Sequence, residues 1–412
     1  MDVGERMQVI RRLCSFERRR AGTDAERRAA NWLAQRLREG GRDVEVEPTY
    51  VHPQYALVHA VHCALGIAGS LLSLASPPVG FAIVLAAATS AYLDLNTRFY
   101  LVRRLFFRRA SQNVVSRGTR PDAPVRVILC AHYDAAQTGR AFRPRTVRRA
   151  ARVGKRLRIP IGPFRIVFWS LASLLPILGA RMAGVEAEWL AIVQVVPTLV
   201  LVVAVFALVD IALSDVVPGA NDNASGVATA LSLASDLDRD RPAHLDVWVL
   251  LTGAGWSLQE GMRGFLRAHR KTLPRTGTYF LCVDAVGHGD VRFETATGWV
   301  VSYPHDVRLV ELCEAIAAAD RDGDRRYRAR ALRLGGLAGD SVAARVRRYA
   351  ATTITCADEL DVVPGAETAA DVPDRIDPDA LDRAHGFALD LVRQLDRDAG
   401  RRARRDAPAA GA

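Results

Sequence analysis

His132 and Asp134 close the apolar run VRVILCAHYD (125–134), Asp222 sits in the Gly/Asn loop PGANDNASGVATAL, and Asp284 ends the run TYFLCVD. A strand that finishes in His and Asp delivers polar groups to the carboxyl edge of a sheet, where open α/β sheets keep their ligands. Strand side chains repeat every two residues, so His132 and Asp134 point the same way. One can then bind a metal while the other orients it. The plainer reading is a strand-end His paired with its own Asp. A histidine joined by two carboxylates from separate chain segments makes an N/O shell suited to zinc.

Positioning these groups takes a layered sheet, and the chain supplies its elements. Thr23 or Asp24 caps a helix through AERRAANWLAQRLREGG, with Trp32, Leu33 and Leu37 on one face and Gly40-Gly41 ending it. Alternation at 43–51 predicts a strand, and 111–115 predicts another before the His132 strand. From Val216 onward strands and helices alternate: helix 224–237, strand 245–252, helix 257–270, strand 278–284, helix 306–319, strand 352–356 and helix 378–395. Such alternation is the mark of an α/β layered sheet. The Arg/Ala-rich tail, 401–412, is expected to be disordered.

Two blocks break this pattern. Residues 55–75 carry no formal charge, Ser76-Pro77-Pro78 is a turn, and 79–93 is a second apolar run. Residues 166–180 and 189–213 form a second pair, the first of these being the shortest and weakest span. Runs of this length can cross a hydrocarbon core, so two transmembrane hairpins are expected. Each hairpin returns the chain to the side it left, which places all the soluble pieces on one side. The basic flanks 98–109 and 140–165 share that side, and the positive-inside rule makes it the cytoplasm. The six cysteines contain no C-x-x-C pair and suit reduced, buried thiols. A net charge of +11 permits an anionic partner. The arginines cluster beside the apolar runs, which favours the lipid bilayer and speaks against nucleic acid.

Taken together, CSFERRRAGTDAERRAANWLAQRL, RASQNVV, AHYDA, GANDNASGVA, LLTGAGWSLQEGMRGFL, VDAVG and DVPDRIDPDAL resemble the co-catalytic di-zinc aminopeptidases, peptidase family M28. The resemblance implies a three-layer α/β sandwich with a mixed central sheet, interrupted here by the two hairpins. The peptidase-like domain would then comprise residues 1–54, 96–163 and 214–400, with transmembrane hairpins at 55–95 and 164–213. It also implies zinc on His132, Asp222 and Asp284, with Asp134 orienting His132.

The departures from the family pattern bear on activity. Where the family has a general-base glutamate and then a second-zinc glutamate, this chain has Gly255 and Trp256, and the Trp256 indole would fill the space of the second ion. Glu260, a turn further on, is not read as a displaced base. Glu367 stands in the position of the last family ligand, a His, and can serve as a metal ligand. His288, just past Asp284, is read as a surface-loop residue in preference to a base. The family's S-D-H reads Gly339-Asp340-Ser341. These changes imply one zinc ion with the second doubtful. The chain is expected to be a membrane-embedded metallopeptidase that hydrolyses N-terminal residues of peptides if it is active. The alternative is an inactive pseudopeptidase serving as a membrane-associated binding or scaffolding module. Because the second hairpin is inserted between the His132 strand and the Asp222 loop, a peptide or amine ligand is expected at the cytoplasmic membrane surface.

Overall fold

In the computed structural model, residues 1–159, 161–332 and 338–406 are described. The chain begins with helices α1 (Val3–Cys14) and α2 (Asp24–Glu39), strand β1 (Glu45–Val51), and the apolar helices α3 (Tyr55–Leu72) and α4 (Pro77–Leu95). Strands β2 (Arg109–Ser116) and β3 (Val125–His132) follow, then α5 (Pro144–Leu157), α6 (Pro163–Met182), α7 (Glu188–Leu213) and α8 (Gly226–Arg239). Next come β4 (Leu245–Thr252), α9 (Glu260–Ala268), β5 (Thr278–Val283), β6 (Asp290–Glu294), β7 (Ala296–Thr297) and β8 (Tyr303–Pro304). The chain closes with α10 (Val307–Asp322), β9 (Arg330–Leu332), α11 (Ser341–Val346), β10 (Ala350–Ala357) and α12 (Pro378–Asp406).

Eight strands form one mixed sheet in the order β1-β2-β4-β3-β5-β10-β6-β9. Its centre is parallel, β4 with β3, β3 with β5 and β5 with β10, whereas β1, β2 and β6 join antiparallel. The two-residue period of the strands divides their side chains between two cores. Val127, Leu129, Ala131, Val249 and Leu251 pack with α1, α2, α8 and α12. Ile128, Cys130, Leu250, Phe280 and Cys282 pack instead with Met262 and Phe265 of α9 and Ala343 of α11. Helix, sheet, helix: the three layers are in place. A strand buried on both faces reads as a continuous apolar run, which is why β3 ends so abruptly at its first polar residues.

Helices α3, α4, α6 and α7 pack on one another around a separate core that includes Cys63, Val84, Leu171, Leu174 and Leu201. All four are long and apolar enough to cross a membrane. A Cβ on Gly66 would lie 2.5 Å from Leu171, so the small residue sets that close helix crossing. Gln194, a polar residue within α7, turns inward and donates to the Ser70 carbonyl at 2.7 Å while accepting from Arg181 at 2.8 Å. The outward face is apolar: Ile192, Val203 and Phe206 are each about 70% exposed.

Several element limits differ from those expected by a few residues, and two of the differences have a structural cause. The helix after β4 begins at Glu260, three residues late, because Gly255–Ser257 first makes a tight 3-10 turn. The last helix does not stop at 395, and the expected disorder from Arg401 is corrected by a helix that continues to Asp406. That stretch is anchored by buried Ala399 and by Gly400 packed against the His244 ring. The remainder of the expected tail, 407–412, lies outside the described residues.

Candidate metal centre

β3 lies between β4 and β5, with His132 in register with Thr252. This brings the ends of three parallel strands together. His132 Nδ1 is 3.3 Å from Asp134 Oδ1, and its Nε2 is 3.3 Å from Asp222 Oδ1 and 3.6 Å from Asp284 Oδ1. One ligand atom from each of His132, Asp222 and Asp284 lies within 4.8 Å of the others. His132 and Asp222 are buried, and Asp284 is half-buried.

The Asp222 loop is shaped by its own polar residues. Gly219 adopts a left-handed φ of +66°, and a Cβ there would meet the Asp222 carbonyl at 2.8 Å. Asp371 accepts from the amides of Asn221 (2.6 Å) and Asp222 (3.0 Å). The Asn223 side chain donates to the Val283 carbonyl at 3.0 Å and accepts from the Ala285 amide at 2.9 Å, which fixes the loop to the end of β5 on either side of Asp284. Arg19, fully buried, donates to the carbonyls of Tyr133, Leu13 (2.5 Å), Pro218 (3.4 Å) and Gly219 (3.3 Å). It thereby ties the end of the His132 strand to the Asp222 loop.

Asp134 is fully committed. Its carboxylate accepts from the amides of Gly255 (2.7 Å) and Trp256 (3.0 Å) as well as facing His132. The Trp256 ring stands edge-on to the His132 imidazole at 6.5 Å. Glu26 anchors the same loop, accepting from the Ala254 amide and the Ser111 hydroxyl, each at 2.9 Å. Burial and then the nearby Asp134 push the Glu26 carboxyl up to about 8.

The electrostatics call for a cation. Burial alone would lower the pKa of His132, but Asp134, Asp222 and Asp284 outweigh it and hold the imidazole well above its ordinary value. Burial raises Asp222, with Asp284 adding to the shift and His132 opposing it. Burial also raises Glu367 well above the carboxylate range, helped by Asp222, Asp371 and Asp284. Among the described residues, buried Asp222 Oδ1, Asp340 Oδ1 and Glu367 Oε1 have no hydrogen-bond partner. Buried oxygens are normally satisfied, and a divalent ion among these carboxylates would supply the missing positive charge. The residues present therefore fit a metal.

The structure brings His132, Asp134, Asp222 and Asp284 together. Glu367 is buried close by, with a left-handed φ of +55°, but is outside the three-residue group. Glu260 is occupied elsewhere: it accepts from the His52 amide at 2.5 Å and faces Arg103 at 3.5 Å. His288 is exposed. Sequence reasoning gave no role to Arg19, Glu26, Asp340 or Asp371. The signal for all four was a charged residue inside a family-like segment.

Residues 200–392 match the family model described as peptidase family M28. No curated protein sequence matches the chain. Similar solved structures include a Zn-dependent exopeptidase from Parabacteroides distasonis, 14% identical, covering 95% of this chain and 97% of that one with a TM-score of 0.54. LapB from Legionella pneumophila is 12% identical over 96% of this chain and 72% of its own, with a TM-score of 0.54. A glutaminyl cyclase from Tannerella forsythia is 16% identical over 95% and 98%, also with a TM-score of 0.54. At such identities the likeness is one of fold.

Proposed function

Residues 200–392 match the model of peptidase family M28, and on that premise we propose that the chain is a membrane-embedded zinc hydrolase that removes N-terminal residues from peptides. The observation that carries the proposal is the buried group of His132, Asp222 and Asp284, with ligand atoms within 4.8 Å of one another. These three residues would hold one zinc ion, leaving a further position open as catalytic sites require. Zinc at that position supplies Lewis-acid polarisation of a carbonyl oxygen.

The chain's own residues do the positioning. Asp134 sets the plane of the His132 ring and fixes the Gly255-Trp256 turn through two amides. Asp371 and Asn223 hold Asp222 against the strand end that carries Asp284. The segment leaving the His132 strand is tied to the end of α7: Gln137, five residues past His132, donates to the carbonyls of Ala212 and Ser214 at 3.1 Å. A peptide presented at the cytoplasmic bilayer surface fits that placement, with α3, α4, α6 and α7 spanning the membrane.

A second reading, a zinc-binding module without turnover, is favoured by one observation. Gly255 presents no carboxylate where the family places its base, and His132 packs directly over it. The test is to measure zinc content of the detergent-purified protein and turnover of aminoacyl-4-nitroanilides, together with ammonia release from N-terminal glutaminyl peptides. Zinc binding and aminoacyl turnover that are both lost in Asp222→Ala would support the hydrolase. Zinc bound without turnover would establish the module, and a chain that takes up no zinc would sink both readings.

A further inference from the structure

Helix α5 carries five arginines, one lysine and no acidic residue in the sequence PRTVRRAARVGKRL. Arg145, Arg148, Arg149, Arg152, Lys155 and Arg156 recur at three- and four-residue spacing and share one face, leaving Val147, Ala150, Val153 and Leu157 on the other. Val147 and Ala150 are half-buried, whereas the C-terminal end of that face is left uncovered. Val153 is 48% exposed and Leu157 57%, and Ile159 just beyond the helix is 50% exposed.

Its contacts orient it. Arg148 and Lys155, two turns apart on one edge of the basic face, hold the loop after β10. Arg148 Nη1 is 3.5 Å from Asp358 Oδ2, and Lys155 Nζ donates to the Glu359 carbonyl at 3.0 Å. The apolar stripe is therefore turned away from the sheet domain. Before the helix, the Arg140 amide donates to Asp210 Oδ2 at 2.7 Å, at the foot of α7. After it, α6 begins at Pro163. The helix thus sits level with the ends of two of the long apolar helices and continues their apolar belt. Arg145, Arg149, Arg152 and Arg156 are exposed and have no acidic partner among the described residues.

An exposed apolar stripe bordered by unpaired arginines, joined to helices long enough to span a bilayer, has the chemistry of a helix lying in a lipid interface. We propose that α5 lies in the plane of an anionic bilayer surface. Val153 and Leu157 enter the acyl region, and the unpaired arginines engage lipid phosphates. Through Arg148 and Lys155 it ties the 358–371 loop, which carries Glu367 and Asp371, to that surface. The proposal rests on the reading of α3, α4, α6 and α7 as membrane spans.

The full chain is placed in nanodiscs of phosphatidylcholine, or of equal parts phosphatidylcholine and phosphatidylglycerol. A spin label at Leu157→Cys reports depth through its relative accessibility to oxygen and to a water-soluble nickel chelate, and a label at Val203→Cys on α7 serves as the control. In the mixed discs the Leu157 label is expected in lipid. It returns to water on Arg149→Gln/Arg152→Gln/Arg156→Gln, and hydrogen exchange across 358–371 is slower than in phosphatidylcholine alone. A Leu157 label in water while the Val203 label is in lipid would overturn the proposal and leave the spans standing. Both labels in water would remove the spans and α5 with them. Equal immersion in both discs, unaffected by the triple change, would refute recognition of anionic lipid. Exchange indifferent to lipid charge would refute the tie to the loop.

Discussion

A Cβ placed on Gly255 would lie 2.6 Å from both Cβ and Cγ of His132. Glycine at 255 is thus a condition for the observed position of the imidazole, in addition to being the absence of a base. Gly255→Ala is expected to push the ring off Asp134 and to weaken zinc binding by about 10- to 100-fold, the usual cost of disturbing a residue that orients a metal ligand. Gly255→Glu is expected to do the same. Zinc titration of the purified variants decides the point: unchanged affinity in Gly255→Ala would mean that the turn moves freely away from His132.

Asp371 meets the metal group through the backbone of Asp222: its two oxygens receive the amides of Asn221 and Asp222. Asp371→Ala leaves both donors unpaired and frees the Asp222 loop. Zinc affinity is expected to fall by about 10- to 100-fold, whereas Asp371→Asn, which keeps one acceptor, should recover part of the loss. Equal zinc affinity in the wild type and Asp371→Ala would remove Asp371 as a positioning residue.

The apolar helices are joined to the metal-site turn through a buried ion network. Arg103 Nη2 is 3.0 Å from Asp94 Oδ2 of α4, and its Nη1 is 3.5 Å from Glu260 and 3.1 Å from the Ser257 carbonyl. Removing one partner of a buried pair leaves uncompensated charge and costs about 3–5 kcal/mol. Arg103→Met should therefore lower the unfolding temperature in detergent, and it should loosen the 255–257 turn enough to reduce zinc uptake. A melting curve that overlays the wild type would show that Arg263 and His59, which lie 3.4 Å and 3.6 Å from the Asp94 carboxylate, suffice to hold it.

The parts of the site written into local pattern were legible in the sequence. His132 and Asp284 each follow an apolar strand, and Asp222 occupies a loop whose Gly, Asn and Ser residues could serve little but tight turns and hydrogen bonds. Asp340 and Arg19 were not legible in this way. Their neighbours are apolar or charged without period, and only closure of the fold buries them beside His132 and Tyr133. Gly255 shows the same limit from the other side. As sequence it reads as a lost catalytic group, and its packing against His132 arises only once β3 and β4 pair in parallel. The helix through 401–406 was missed for a similar reason, since its Arg-rich composition hides the anchoring at Ala399 and Gly400.

The Asp340 carboxyl gives the metal-free protein a defined pH response. Burial, with Asp284 and Asp134 adding and with His132 and the Thr252 hydroxyl opposing, raises it from the ordinary 3.8 to about 6. The folded-state pKa lies above that of the unfolded chain, so across this window the folded state holds a proton that the unfolded state has released. The contribution of Asp340 to stability is most favourable below the lower value. It declines as pH rises through the window and is constant above it. A shift of about two units corresponds to about 3 kcal/mol at most. Asp340→Asn cannot titrate, so in chelator-treated protein its unfolding temperature should rise relative to the wild type as pH is raised through this interval, and then hold steady. Zinc places positive charge beside the carboxylate and should narrow the difference. Melting curves of both proteins across that range, with and without zinc, check both signs. A difference that is independent of pH would mean that Asp340 is already ionised throughout and that some other group neutralises the centre.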